Sequence, residues 1–372
     1  MLETNQMTVM KQMLEHDHEQ IVFCNDPESG LKAIIAIHDT TLGPALGGLR
    51  IWNYATEEEA FNDVLRLSRG MTYKAAVAGL NLGGGKAVII GDAKKIKSEA
   101  LFRVFGRFIE GLNGRYITAE DVNTSVKDIE YIMQETKYVT GIPVRYGGSG
   151  DPSPFTARGV YWSMRACCKE MYGTDSLNGK KVAIKGLGHV GSYLAQFCYE
   201  DGAELIVSDI YEDKVNPMVE KYNATVMSVD DVLSADVDIV APCALGGGIN
   251  QKTIPTIKAK IICGAANNQL GDENIDGPAL KERGILYAPD YVVNAGGLIN
   301  VYNELKPHGY NPESSRDQVR HIYDVMLQII ALSKEKNIST HRAANQIAED
   351  RIASIRNINT IKTTGKGTLE NR

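Results

Sequence analysis

Cysteine is scarce in this chain, with six among 372 residues. Cys24, Cys167, Cys168, Cys198, Cys243 and Cys263 sit in apolar stretches and form no CxxC pair. That excludes a disulfide framework and points to reduced, buried thiols in a cytoplasmic protein. No apolar run approaches the roughly 20 residues needed to span a bilayer, so no membrane contact is expected. Residues 1–20 are polar and rich in His and Glu, without the apolar core of a signal peptide. Charge of either sign is nearly balanced, 40 Lys and Arg against 46 Asp and Glu, and no basic stripe stands out, which argues against nucleic acid as a partner. The seven histidines show no metal-ligand spacing; His16 and His18 flank Asp17 in a polar N-terminal helix and are expected to be solvated, and no metal is expected. A Ser/His/Asp elbow and a Walker motif are also missing.

What remains is the composition of an ordinary globular protein, 43% hydrophobic and 23% charged, long enough for two domains. Strand patterns at 21–24 and 31–37 flank a turn at 25–30. Residues 38–50 hold three glycines and a proline around Leu46 and read as a loop shaped for something to approach; Leu46 is either core or a pocket wall. Thr56 and Glu59 form a capping-box pattern ahead of a helix whose apolar side is Phe61, Val64, Leu65 and Ser68, and which carries Lys74 near its end. Gly83, Gly84, Gly85 and Lys86 follow, leading into the apolar strand 87–90. Glycines beside a lysine let backbone and substrate approach closely, and a lysine at the edge of an apolar strand is desolvated, which lowers its pKa. Lys74 in the same pocket would lower it further. A glycine turn with a surface lysine reads this string equally well. A short strand at 116–119 ends at Glu120 and Asp121; Asp121 is either a proton carrier or the N-cap of a helix starting near Thr124.

Residues 146–154, glycines followed by prolines, mark a hinge. The expected fold is therefore α/β in two domains: 1–146 binds substrate and mediates oligomerisation, 147–339 is a Rossmann-type dinucleotide-binding domain, and a C-terminal helix at about 340–372 is a candidate to pack back on the first. A helix at 156–172 precedes strand 181–185 and the turn Gly186, Gly188, His189, Val190 and Gly191, which opens another helix. The next strand ends in Asp209. Strand, GxGxxG, helix and a following acid describe a dinucleotide cradle, in which glycines admit the pyrophosphate and the acid binds the ribose; an acid there repels a 2′-phosphate, so NAD is favoured. Further strands at 238–242, 260–263 and 284–287 end in loops 244–250, 265–268 and 289–297, which are expected to line the cofactor site. They bring in Ala244, Asn267, Asn268 and Asn294. Amphipathic helices at 314–334 and 340–357 close the chain.

Taken in order, 40–50 (TTLGPALGGLR), 70–74 (GMTYK), 82–86 (LGGGK), 118–122 (TAEDV), the glycine turn and 289–300 (PDYVVNAGGLIN) resemble the glutamate/leucine/phenylalanine/valine dehydrogenase family, and within it the leucine-acting branch. The resemblance runs over about 15–357. It implies NAD-dependent oxidative deamination of branched-chain L-amino acids (leucine, valine, isoleucine) to 2-oxo acids and ammonia, with catalysis in an interdomain cleft. It implies Lys86 and Asp121 as catalytic residues and Lys74 as the ligand of the substrate carboxylate. Leu46, Gly47, Ala119, Leu298 and Val301 would shape the side-chain pocket, and backbone near Asn294 would orient the amine. Thr156, Asp209, Ala244, Asn268 and the glycine turn would hold NAD, and the chain would form a homo-oligomer, an octamer by analogy. Leu46 stands where glutamate-specific relatives place a lysine, so an unpaired side-chain carboxylate would be costly there. Asn123 replaces a glycine, Arg158 an aromatic residue, Ala76 a nearby asparagine and Ala93 a proline. Asn123 keeps aromatic L-amino acids open as alternative substrates, and a catalytically dead NAD-binding regulator is the remote alternative.

Overall fold

In a computed structural model, residues 9–358 are described; the part of the expected C-terminal helix beyond 358 lies outside the described residues. The chain divides into two compact units. The first runs to residue 150 and adds 304–310 and the chain from 349; the second holds 151–303 and 311–348.

The first unit is built on β1 (Gln20–Asp26), β2 (Leu31–Asp39), β3 (Ala45–Trp52), β4 (Gly83–Ile90) and β5 (Tyr116–Glu120). Their order is β1-β2-β4-β3-β5. β2 is antiparallel to β1 and β4, whereas β3 runs parallel to β4 and β5. The helix Glu57–Val77 makes the crossover from β3 to β4 that a parallel pair requires. It starts where the Thr56 hydroxyl accepts from Glu59 N at 3.1 Å, while the Glu59 carboxylate accepts from Ala55 N rather than closing the box on Thr56. Its residues Ala60, Phe61, Val64 and Leu65 cover Ile34, Ala36 and Val88. The opposite sheet face packs Ile35, Ile37, Leu49, Ile51 and Ile89 against Leu101, Phe102, Phe105 and Ile109 of the helix Glu99–Glu110. Each such buried side chain contributes about 1.5–3 kcal/mol.

The expected loop at 38–50 shrinks to 40–44, because Ala45, Leu46, Gly47, Gly48, Leu49 and Arg50 are sheet residues in β3. The glycine turn proposed at 83–86 is likewise strand throughout β4. Both stretches need glycine for room. A Cβ on Gly47 would stand 1.7 Å from Gly85 O, and one on Gly84 would stand 2.1 Å from Thr72 Oγ1. The N-terminal helix, Val9–Glu15, stops before His16. His18 is buried rather than solvated: its Nε2 lies 2.9 Å from Ser68 Oγ and 3.2 Å from Leu65 O, and its ring meets the buried His38 edge-on, 4.8 Å between centroids.

The second unit holds six parallel strands, β6 (Lys181–Lys185), β7 (Glu204–Ser208), β8 (Thr225–Val226), β9 (Ile239–Pro242), β10 (Ile261–Ile262) and β11 (Leu286–Tyr287). The order β11-β10-β9-β6-β7-β8 reverses direction between β6 and β9, which is the doubly wound arrangement with its switch point at the end of β6. The exposed two-residue β8 is too short to carry a sequence pattern. The single helix expected at 314–334 is two, Pro312–Arg320 and Ile322–Lys336, broken at His321, whose N–H reaches back three residues to Gln318 O. Two segments return to the first unit. The Glu304 carboxylate accepts from Gly141 N at 3.1 Å and Ser149 N at 2.7 Å. In the helix Thr340–Ile358, Arg351 donates to Ala76 O, Leu80 O and Asn81 Oδ1, and Arg356 pairs with Asp39. Among the described residues, no helix is long and apolar enough to cross a membrane.

Candidate active site

Strand alternation decides which side chains of the first sheet share a face. Leu46 registers with Gly84, and Gly48 with Ala119, so Leu46, Lys86 and Ala119 line the face covered by the helix Glu57–Val77. Gly84 lets that helix approach at Ser68 and Thr72, and the half-buried Lys74 follows in its last turn. Lys86 is 5% exposed, in mid-strand. Its Nζ lies 3.0 Å from Asp121 Oδ2, and the same oxygen takes Arg50 Nε at 3.1 Å. Asp121 therefore pairs and does not cap: the following helix, Val126–Ile132, is capped by Ser125 with Asp128. Burial pushes the Asp121 carboxyl upward, but Lys86 and Arg50 outweigh it and hold the pKa below the ordinary carboxylate value.

The turn that carries Asp121 is stitched to β3. Thr124 Oγ1 donates to Leu49 O, and Ile51 N donates to Val122 O. Asn123 has φ 61° and donates to Ile51 O. That left-handed backbone explains why either glycine or asparagine fits at 123, and it turns the Asn123 amide to β3. Beneath Gly47, the buried Tyr116 hydroxyl donates to Gly47 O at 2.6 Å, and its ring occupies the space a Cβ on Gly85 would need. Leu46 is 2% exposed and Ala119 7%. The sequence reading missed Arg50, Asp63 and Tyr54. Arg50 also bonds Asp63 at 2.9 Å, and Asp63 accepts from the Tyr54 hydroxyl at 2.7 Å. A lone arginine 71 residues from its partner leaves no local signal.

In the second unit the three glycines at the end of β6 do three jobs. Gly186 has φ 101°, and a Cβ there would crowd Ala244 at 2.9 Å. A Cβ on Gly191 would meet Gly186 O at 2.0 Å, so that glycine packs the helix His189–Glu200 onto the strand. Gly188 caps the helix with nothing within 4 Å of a Cβ position, which leaves open space at a helix N-terminus, the surroundings a pyrophosphate needs. His189 is exposed and Val190 half-buried beside it. Asp209 directly follows β7, and its carboxylate accepts from Leu187 N at 2.7 Å and Tyr211 N at 3.0 Å. Ala244 and Asn268 are exposed on neighbouring loops joined by Gly247 N donating to Asn268 O. Ile210, 73% exposed, and Leu245, 93% exposed, follow Asp209 and Ala244; these apolar side chains at strand ends were not foreseen. Thr156 donates to Pro152 O and lies against Gly297. Asn294 donates to Ala265 O and Asn267 Oδ1, and Leu298 and Val301 are buried in the helix Gly296–Tyr302. Arg158 stacks over Phe197, 4.6 Å from the ring centroid, which accounts for a cation where an aromatic was expected.

Residues 18–138 match the family profile described as Glu/Leu/Phe/Val dehydrogenase, dimerisation domain, and 147–359 match Glutamate/Leucine/Phenylalanine/Valine dehydrogenase. The leucine dehydrogenase of Geobacillus stearothermophilus is 57% identical over 350 residues, 94% of this chain and 95% of that protein. The phenylalanine dehydrogenase of Lysinibacillus sphaericus is 50% identical over 94% of this chain and 92% of its own length. The crystal structure of L-tryptophan dehydrogenase from Nostoc punctiforme superposes with a TM-score of 0.82 at 47% identity, covering 94% of this chain and all of that one. With both family profiles matched in order and this likeness along nearly its whole length, the chain belongs to the Glu/Leu/Phe/Val dehydrogenase family.

Proposed function

We propose that this protein catalyses the reversible, NAD-dependent oxidative deamination of branched-chain L-amino acids, L-leucine foremost, to 2-oxo acids and ammonia. The observation that carries the reading is the Lys86–Asp121 pair, its lysine buried in a glycine-rich strand and its carboxylate half-buried at 3.0 Å from it. The Gly188 opening and the Asp209 carboxylate suit NAD, and an acid at that place disfavours a 2′-phosphate. Ile210 and Leu245 offer apolar surface to an adenine ring. When bound, NAD supplies a hydride acceptor; all other steps fall to the chain. Lys74 takes the substrate carboxylate by a charge-assisted hydrogen bond. Lys86 holds the water that adds to the substrate iminium carbon, and Asp121, kept ionised by its cationic neighbours, accepts and returns protons as the carbinolamine collapses. Leu46 and Ala119 on the first sheet give the side chain apolar contacts and no charge partner. Higher identity to the leucine-acting relative than to the phenylalanine-acting one favours the branched substrates. Asn123, bound to the β3 backbone, offers the aromatic reading no support. The dimerisation-domain match at 18–138 supports a homo-oligomer, which sedimentation would size.

The test is NADH formation at alkaline pH with L-leucine, L-valine, L-isoleucine, L-phenylalanine, L-tryptophan and L-glutamate, with Lys86→Ala in parallel. Turnover of the branched set, abolished in the variant, is expected. Turnover of aromatic substrates alone would overturn the pocket assignment, and turnover of none would overturn the reaction.

A further inference from the structure

The carboxylate proposed to move protons is not held by Lys86 alone. Asp121 Oδ2 takes Lys86 Nζ at 3.0 Å and Arg50 Nε at 3.1 Å. Arg50 uses a second nitrogen, Nη1, on Asp63 Oδ2 at 2.9 Å. Asp63 is fixed in turn by the Tyr54 hydroxyl at 2.7 Å and by Arg66 Nη2 at 2.9 Å. Arg50 stands between the two β3 residues whose backbones bind the 121–124 turn, Leu49 through Thr124 and Ile51 through Val122 and Asn123. Side chain and backbone thus fix the same turn from the same strand. A guanidinium is suited to the task because its planar fork spans two carboxylates in set directions, and an ammonium cannot.

We propose that Arg50 is a positioning residue for the reaction: anchored on Asp63 and Tyr54, its guanidinium fixes Asp121 Oδ2 against Lys86. This rests on the proton-carrying role assigned to Asp121 above. Without the guanidinium the carboxylate keeps one cation instead of two while staying largely shielded from water. It swings toward solvent or protonates more readily. Substrate binding through Lys74 is untouched, so the damage falls on turnover and on the acid side of the pH profile.

The experiment compares Arg50→Gln, Arg50→Lys and Asp63→Asn with the intact enzyme, reading kcat, KM for L-leucine and the pH dependence of kcat/KM. Arg50→Gln is expected to lower kcat by about 10- to 100-fold with KM within about threefold. It should also move the acid limb up by about one pH unit. Arg50→Lys restores the limb in part but not kcat, and Asp63→Asn shifts both in the same direction by less. An unmoved acid limb, or a loss of activity that only tracks the loss of folded protein, overturns the proposal. A thermal-stability cycle of Arg50→Gln, Asp121→Asn and the double variant reads the contact without any turnover. Non-additive effects alongside an inactive wild type would sink the reaction assignment and leave the contact standing; additive effects would sink the contact itself.

Discussion

Two buried histidines make the first unit sensitive to acid. His18 and His38 meet edge-on at 4.8 Å beneath the helix Glu57–Val77, with His18 bonded to Ser68 and His38 Nδ1 2.8 Å from Thr72 Oγ1. Burial lowers the pKa of each from 6.5 to about 4; His38 and Arg69 push His18 further down, while Asp39 and Asp17 partly support a charge on His38. The unfolded chain therefore binds protons that the native state refuses between those two values, and stability falls as pH drops from about 6.5 toward 4. At pH 5 the difference is worth RT ln 30 per ring, about 2 kcal/mol. The mutual repulsion is counted in both rings and residual solvent screens the charges, which leaves about 2 kcal/mol for the pair. On a unit of this size that is about 4–8 °C in Tm. The assay is Tm at pH 7.5 and pH 5.0 for wild type, His18→Asn and His18→Asn/His38→Asn. The variants start lower at pH 7.5, having lost packing, but lose less on acidification, by about 2–4 °C for the single and 4–8 °C for the double. Titrating carboxylates contribute equally to all three and cancel. An equal drop in all three would refute the linkage.

Gly84→Ala places a Cβ 2.1 Å from Thr72 Oγ1 and 2.2 Å from Thr72 N, so the helix must lift from the sheet; a loss of about 3 kcal/mol or more is expected in the urea midpoint. Gly188→Ala is the contrasting case: its Cβ meets nothing in the protein, so the midpoint stays within about 0.5 kcal/mol of wild type while the KM for NAD rises about tenfold or more. Arg351→Ala leaves the carbonyls of Ala76 and Leu80 without that donor and should cost about 2 kcal/mol, seen as earlier hydrogen exchange in the last turns of the helix that carries Lys74.

Features written locally in the chain were legible. The apolar side of the helix at Phe61, Val64 and Leu65 shows in its spacing, and the β6–Gly186–Gly188–Gly191 unit shows as strand, turn and helix. The misreadings occur where a distant neighbour decides. Gly47 and Gly84 look like turn residues because glycine usually buys freedom; here they are extended, and their missing side chains make room for Gly85 and Thr72. Asp121 looks like a cap until Lys86, 35 residues earlier, and Arg50, 71 earlier, are seen to share its oxygen. His18 looks hydrophilic in its stretch, yet Leu65 and Ser68 close over it. Apart from Gly84 and Thr72, no window of ten or twenty residues contains these partners.

The route of the chain also bears on its synthesis. The first unit takes residues up to 150 and is completed only by the chain from 349 onward, 349 − 150 = 199 residues later. At about 5–20 residues per second, a ribosome needs roughly 10–40 s to cover that gap. Through that interval the end of the Glu57–Val77 helix, the part that carries Lys74, lacks the Arg351 guanidinium that ties off Ala76 and Leu80. The nascent sheet thus waits, incompletely closed, for the Thr340–Ile358 helix of its own polypeptide, so termination ahead of Arg351 would damage a unit begun far earlier in the chain.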